Sequence, residues 1–382
     1  MDFALTPEQE AIRDLARRFA QQRIAPLVRE YDQNERVPKE LVREAGRLGL
    51  TGGVIPPEYG GAGLDYLSTA IVVEEISKVC HIMATEISFA SGLAGAGLLL
   101  YGTADQKRKY LAPLARGEAM AGAGVTEPRS GTDVAGMETR VRRDGGGYIL
   151  SGRKMWISNL EDADWFITFG QMDRQKKHRG ISAFVVEKDW KGVEVHPIRN
   201  KTGFRAIVTG ELVLDDVFVP AENRVGMEGE GFKVAMCAVE NGRLFVAARA
   251  VGILQSCLDQ AVDYARQRIV FDQPIGRFQL IQAKIADIAL ALETARLLMY
   301  KLAWTKDQGK DQSQLESSMA KLYASEVLMK ATIDAAQIFG AYACSDEYPI
   351  GRYFRDAKFF QVVEGTSELH RILIAEHLLG YR

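Results

Sequence analysis

Cysteine is scarce and unpatterned in this chain of 382 residues. There are four, Cys80, Cys237, Cys257 and Cys344, and no two form a CxxC pair. Scattered thiols of this kind read as reduced core residues, not as a disulfide frame or a metal site. The five histidines lack metal spacing too, since none pairs at i, i+4 around a glutamate. No apolar run of roughly 18 residues is present, so no membrane span is expected. The opening MDFALTPEQE is acidic and polar where a secretory leader is basic and then apolar, which points to a cytoplasmic protein. Excess charge of one sign is also missing: 48 Lys and Arg stand against 50 Asp and Glu, a formal net of −2. That balance argues against nucleic-acid binding, whose affinity comes largely from surplus cations. No Gly-x-Gly-x-x-Gly follows a strand-like run, which removes the usual warrant for a Rossmann site.

What is present is 47% hydrophobic sequence, enough for two or three structural units. Residues 1–120 are helical in pattern. Thr6, Pro7 and Gln9 make an N-cap, a first-position proline and a capping box. Ile12, Leu15, Ala16 and Phe19 follow at helical spacing, and Pro26 marks a break or kink. A loop runs from Val54 to Gly63, and helical patterning resumes near Tyr66 and runs past Tyr110. Residues 121–230 change period. Tyr148 to Leu150, Trp165 to Phe169, Ile181 to Val186 and Leu212 to Val219 are short β-branched and aromatic runs, separated by turns such as Asp144-Gly145-Gly146-Gly147. Strands without long helices between them predict a β-sandwich or barrel. Over 231–382 the helical period returns. Val251, Leu254, Leu258, Ala261 and Val262 form one stripe, and Ile285, Ile288, Leu292 and Ala295 another. Long helices with broad apolar faces predict a four-helix bundle able to pack against a further subunit.

Five stretches carry chemistry. Gly124 to Val134 reads GVTEPRSGTDV, and Gly152 to Asn159 reads GRKMWISN. Arg268-Ile269-Val270-Phe271 leads to Pro274-Ile275-Gly276 and Phe278-Gln279. Gln337-Ile338-Phe339-Gly340-Ala341 leads to Glu347-Tyr348-Pro349 and Arg355-Asp356-Ala357. Val363-Glu364-Gly365-Thr366-Ser367-Glu368 closes the series. In order and spacing they resemble the TEPxxGSD, GxKxWITN, RxxFGxPI…FQ, QIFGGxG…EYP…RDA and EGTSEI signatures of the acyl-CoA dehydrogenase family. The resemblance covers nearly the whole chain. It departs from the pattern at Ala341, Val270 and Arg129, none of which removes a required charge.

The resemblance implies an FAD-dependent enzyme. It would take the α-proton of an acyl-CoA thioester onto a carboxylate, pass the β-hydride to flavin N5, and yield electrons to an electron-transfer flavoprotein. Glu364 matches the family's base. Burial disfavours its charged form and lifts it from about 4.3 toward ~6–7, where it serves better as a general base. Some relatives carry the base immediately before the arginine equivalent to Arg243. Here that position is Gly242, and Glu240 is offset. By the same resemblance, Val125, Thr126, Trp156 and Ser158 would meet the flavin ring. Gly131 would contact the cofactor, Thr132 would approach cofactor phosphate or the pantetheine end of the substrate, and Arg268 would neutralise the pyrophosphate. Phe271, Gln279, Gln337 and Gly340 would line the adenosine half from a neighbouring subunit of a homotetramer or dimer. Thr366 and Glu368 would approach the adenine side from the cofactor's own subunit, with Arg243 and Gly365 near the substrate.

For the acyl group, the resemblance points to the helix from about Met83 to Leu100. Its small residues at 90–97 suggest room beside the thioester, and Val363, where straight-chain relatives often carry Tyr, enlarges it. A short, branched or alicyclic acyl group is the expectation, against tight helix packing as the plainer use of small residues. The segment holds no Lys or Arg, which counts against a distal carboxylate. The alternatives are an oxidase or monooxygenase on the same fold, which rapid reoxidation by air would reveal, and a non-catalytic helical scaffold, which would be colourless.

Overall fold

The structure, a computed structural model, describes residues 4–309 and 313–381. The first helix, Pro7–Phe19, begins as its sequence requires: Thr6 Oγ1 accepts from the Gln9 backbone, and the Gln9 side chain accepts from Thr6 N. Pro26 has no N–H to donate and crowds the preceding turn. The chain widens into a π-turn at Ala20–Ile24 and tightens at Ala25–Leu27 before Val28–Gln33 resumes. Tyr66–Ser77 starts where Asp65 accepts from Ser68 N.

The β region contains β1 (Ala121–Gly124), β2 (Arg140–Asp144), β3 (Gly147–Ser158), β4 (Trp165–Gln171), β5 (Ile181–Glu187), β6 (Val193–Ile198), β7 (Thr209–Pro220) and β8 (Arg224–Val225). They form one sheet in the order β6-β7-β3-β2-β4-β5-β8, with β1 parallel to β4. Because strand side chains alternate, β4 is buried on both faces. Phe166 packs with Leu150, Phe184, Leu212 and Val217, so the sheet curls over its own core. Ile167 and Phe169 face Phe89, Leu98 and Val234, which bind the sheet to the helices.

Beyond Gly231 three helices dominate: Gly231–Gln267, Gln279–Asp307 and Gln314–Phe339. The first is buried all round from Asn241 to Leu254, because Tyr66–Ser77 and its two successors surround it. The expected fourth long helix is instead two short ones, Ile350–Phe360 and Ser367–Leu378. Gly340 and Gly365, both at positive φ, interrupt the chain. The Arg355-Asp356-Ala357 motif is structural. Asp356 meets His81 Nε2 at 2.8 Å and accepts from Phe204 N at 2.7 Å, while Arg355 reaches Asp32 at 2.7 Å. Three parts of the chain are tied there. Among the described residues, no helix is long and apolar enough to cross a membrane and no cluster suits a metal.

Candidate active site

Glu364 stands on the turn between the two C-terminal helices, at φ 56°, and Gly365 follows at φ 100°. A non-glycine residue in the left-handed region is held there by its surroundings. Three side chains from three elements do so. Arg243 Nε donates to the Glu364 carbonyl at 3.1 Å, His370 Nε2 lies 3.3 Å from the same oxygen, and Lys321 Nζ donates to the Gly365 carbonyl at 2.6 Å. All three are buried. His370 is driven down to about 3 by burial and by Arg243 and Lys321, so it is neutral. Lys321 falls to about 8 through burial.

The Glu364 carboxyl lies against the central helix at Gly242, where a Cβ would come within 2.5 Å of Oε1. The absence of a side chain at Gly242 therefore makes room for the Glu364 carboxyl. No described residue hydrogen-bonds this carboxyl. Burial raises it from 4.5 to about 7, with Arg243, Arg249 and Lys321 pulling the other way. Glu240 is occupied elsewhere, accepting from Ser313 and pairing with Lys306 at 3.4 Å.

A second group gathers where β1 leaves the sheet beside β3. Met155 N donates to Thr126 O at 2.8 Å and so fixes the two motifs together. Beneath them Lys154, 0% exposed, pairs with the buried Glu127 at 2.7 Å. Glu127 also accepts from Glu138 N and Thr139 N. Above this pair Trp156 sits at φ 63° with 55% of its surface open, while Val125, Thr126 and Ser158 are half-buried and Gly131 and Thr132 exposed. An open indole on a strained, ion-paired strand suits a flat ring ligand such as a flavin. Thr366 caps the last helix through Leu369 N, and Glu368 is exposed in its first turn.

The third group lies elsewhere. Arg268 ends the central helix and faces Tyr342, its guanidinium carbon 5.6 Å from the ring. Phe271, 84% exposed, tips a hairpin at φ 52°, and Gln279, Gln337 and Gly340 are exposed nearby in sequence or packing. From Gly242 to Arg268 the helix rises about 39 Å at 1.5 Å per residue. One chain thus places the Glu364 group and the Arg268 group at well-separated points along the central helix. The resemblance would place Arg243 near the substrate's CoA portion; in the structure it is buried under the Glu364 turn.

The segment 83–100 is not one helix. His81–Ser88 stops, and Gly95–Tyr101 starts after a turn. Its small residues are used for packing. A Cβ on Gly95 would meet the Ala90 carbonyl at 1.7 Å, on Gly97 the Val234 side chain at 2.9 Å, and on Gly92 the Phe245 ring at 3.2 Å. They do not open the expected room. Sequence reasoning also missed Lys154, Glu127, Lys321, His370 and Arg249. A signal existed for Lys321, a lone cation among Ser317, Ser318, Ala320, Ala324 and Ser325, and for Arg249, seven residues after Gly242.

The fold and these groups define a class: a helical–β–helical oxidoreductase with a buried carboxyl and a ring-binding platform. Residues 6–118, 122–217 and 229–379 match the models of the acyl-CoA dehydrogenase N-terminal, middle and C-terminal domains. The chain is 41% identical over 98% of its length to a short-chain-specific acyl-CoA dehydrogenase of Clostridium acetobutylicum, covering 99% of it. It is 39% identical over its full length to a glutaryl-CoA dehydrogenase of Desulfococcus multivorans, covering 99% of that protein. A solved structure described as the electron transferring flavoprotein of Acidaminococcus fermentans superposes with a TM-score of 0.97, at 42% identity, over 99% of this chain and 100% of that one. The chain belongs to the acyl-CoA dehydrogenase family. Its cofactor is FAD, and its reaction is the α,β-dehydrogenation of an acyl-CoA.

Proposed function

We propose that Glu364 is the base that removes the α-proton of a short acyl-CoA. The observation that carries this is the carboxyl itself: buried against Gly242, unpaired, and raised to about 7. A base with that affinity is half-dissociated near neutral pH and takes a strong share of the α-proton. Arg243, His370 and Lys321 hold its backbone, so the carboxyl is aimed without being paired. FAD, when bound, supplies the acceptor for the β-hydride. Thr126, Ser158 and Trp156 would hold its ring, and Arg268, Phe271, Gln279, Gln337 and Gly340 of a second copy the far end. The roughly 39 Å helix rise between the two groups supports a homo-oligomer. An electron-transfer flavoprotein as electron acceptor is supported by the resemblance to the Acidaminococcus structure. The domain limits belonging to this reading are 1–120, 121–230 and 231–382, where helix changes to strand and back. Relatives named for short-chain and for glutaryl substrates are about equally similar, so identity does not choose the acyl group. A short acyl chain fits the packed glycines of 92–97, and Val363 leaves room for a branch.

The test is Glu364→Gln. The variant should purify yellow with FAD bound and lose turnover by about 100-fold or more. Near-normal turnover sinks the assignment. Best turnover on long straight chains across an acyl-CoA panel sinks the short-chain reading.

A further inference from the structure

Arg249 is a guanidinium with no carboxylate paired to it among the described residues. It lies seven residues beyond Gly242 on the continuous central helix, two turns along and on the same face, about 10 Å away along the axis. It is 7% exposed. Its Nε donates to the Phe245 carbonyl at 3.4 Å, its Nη1 to Thr85 Oγ1, and its carbon end lies 5.6 Å from the Phe360 ring. Its Nη2 makes no hydrogen bond among the described residues, and none of their carboxylates comes within salt-bridge distance of it. The nearest acids do not neutralise it. Glu86 accepts from Asn159 Nδ2 at 2.8 Å and is raised by burial to about 8, so it is mostly protonated at neutral pH. Glu364 is raised as well.

A buried cation of this kind is costly unless an anion meets it. Within the described structure Arg249 has only neutral acceptors. The sequence argument against a distal carboxylate covered only the segment from about Met83 to Leu100, and Arg249 lies outside it. The cation comes instead from the helix that carries Gly242 and reaches Thr85 from across the fold.

We infer that Arg249 selects a short acyl-CoA whose far end carries a carboxylate, pairing with it while Glu364 works at the thioester end. This rests on the acyl-CoA reading above and narrows its substrate. The carboxylate takes the Nη2 donor, Thr85 and protonated Glu86 complete a polar end wall, and the packed glycines of 92–97 limit the chain length. An unsubstituted chain of equal length leaves the guanidinium unmet and buried, which disfavours it.

The experiment is anaerobic bleaching of the FAD-loaded enzyme with matched pairs, glutaryl-CoA against pentanoyl-CoA and adipyl-CoA against hexanoyl-CoA. The native enzyme should favour a dicarboxylic member in kcat/KM. Arg249→Leu should lose about 100-fold or more on that member and keep or gain rate on its unsubstituted partner. Arg249→Lys should retain part of the preference. A native enzyme that favours the unsubstituted member of both pairs overturns the inference without any variant. Equal losses on both members in Arg249→Leu overturn it too, since they mark a structural arginine. Bleaching by no member of either series would instead overturn the acyl-CoA reading beneath it.

Discussion

At the residue scale, the relation between Gly242 and Glu364 makes two predictions. A methyl added at 242 would overlap the Glu364 carboxyl at 2.5 Å. The carboxyl or its turn must then shift. Gly242→Ala is expected to fold, bind FAD and lose turnover by about tenfold or more, since a misplaced base of about 1 Å costs 10²-fold in favourable cases. Steady-state kinetics beside flavin absorbance would show it, and an unchanged kcat would contradict the contact. The second prediction concerns pH. With Glu364 at about 7, the dissociated base falls tenfold per unit below that value, so kcat/KM should decline on the acid side with a midpoint near 7. Stability runs the other way. The carboxyl is raised above its ordinary 4.5, so the folded state holds the proton more tightly across that window. Its cost is absent below about 4.5 and grows as pH rises to 7, reaching at most about 3 kcal/mol. Melting temperatures of Glu364→Gln and native enzyme should therefore diverge in the variant's favour as pH rises from 5 to 8, and coincide at acid pH.

At the scale of the element, the ion pair Lys154–Glu127 explains why two motifs a strand apart act as one platform. Glu127 accepts from Lys154, Glu138 N and Thr139 N, and so closes the loop that follows β1 onto β3. The lysine, fully enclosed, is pushed down to about 8 by burial, while Glu127 is lowered because Lys154 and the two backbone donors outweigh its own burial. Removing one partner leaves a buried charge alone. Lys154→Met should cost about 3–5 kcal/mol. Below its melting point it should also release FAD more readily, because Trp156 at φ 63° loses its anchor two residues away. Thermal melts with and without added FAD separate the two effects. A stable variant with native FAD affinity would mean that the strand holds its shape without the pair.

At the scale of the whole molecule, the bundle leaves apolar surface uncovered. Leu290 and Leu297, 69% and 49% exposed, stand one heptad apart on Gln279–Asp307, and Leu280 is 81% exposed at its start. An apolar stripe on an outer helix marks an association surface. If the proposed oligomer forms through this face, Leu297→Lys should weaken it and, because the Arg268 group would then leave its partner's cofactor, also lower FAD content. Light scattering with flavin-to-protein ratios tests both, and a monomeric native enzyme with full FAD would overturn the shared site.

Much of this protein follows from its sequence alone. The helical, β and helical periods, the capping box at Thr6, the break at Pro26 and the five motifs are local patterns, and local backbone preference and side-chain period suffice to set them. Glu364 stood out as a candidate for the same reason, since its motif is contiguous. What only the tertiary structure decided are contacts across long stretches of chain. Arg243 holds a carbonyl 121 residues away, Lys321 one 44 residues away, and Arg249 a hydroxyl 164 residues away. No period in the sequence encodes such distances. The glycines of 92–97 show the same limit: as letters they allow either space or close packing, and only their neighbours Ala90, Val234 and Phe245 decide for packing. Burial decides the chemistry in turn. Local sequence sets Glu364 as a carboxylate of ordinary strength, and the low-dielectric surroundings assembled from distant segments raise it to about 7.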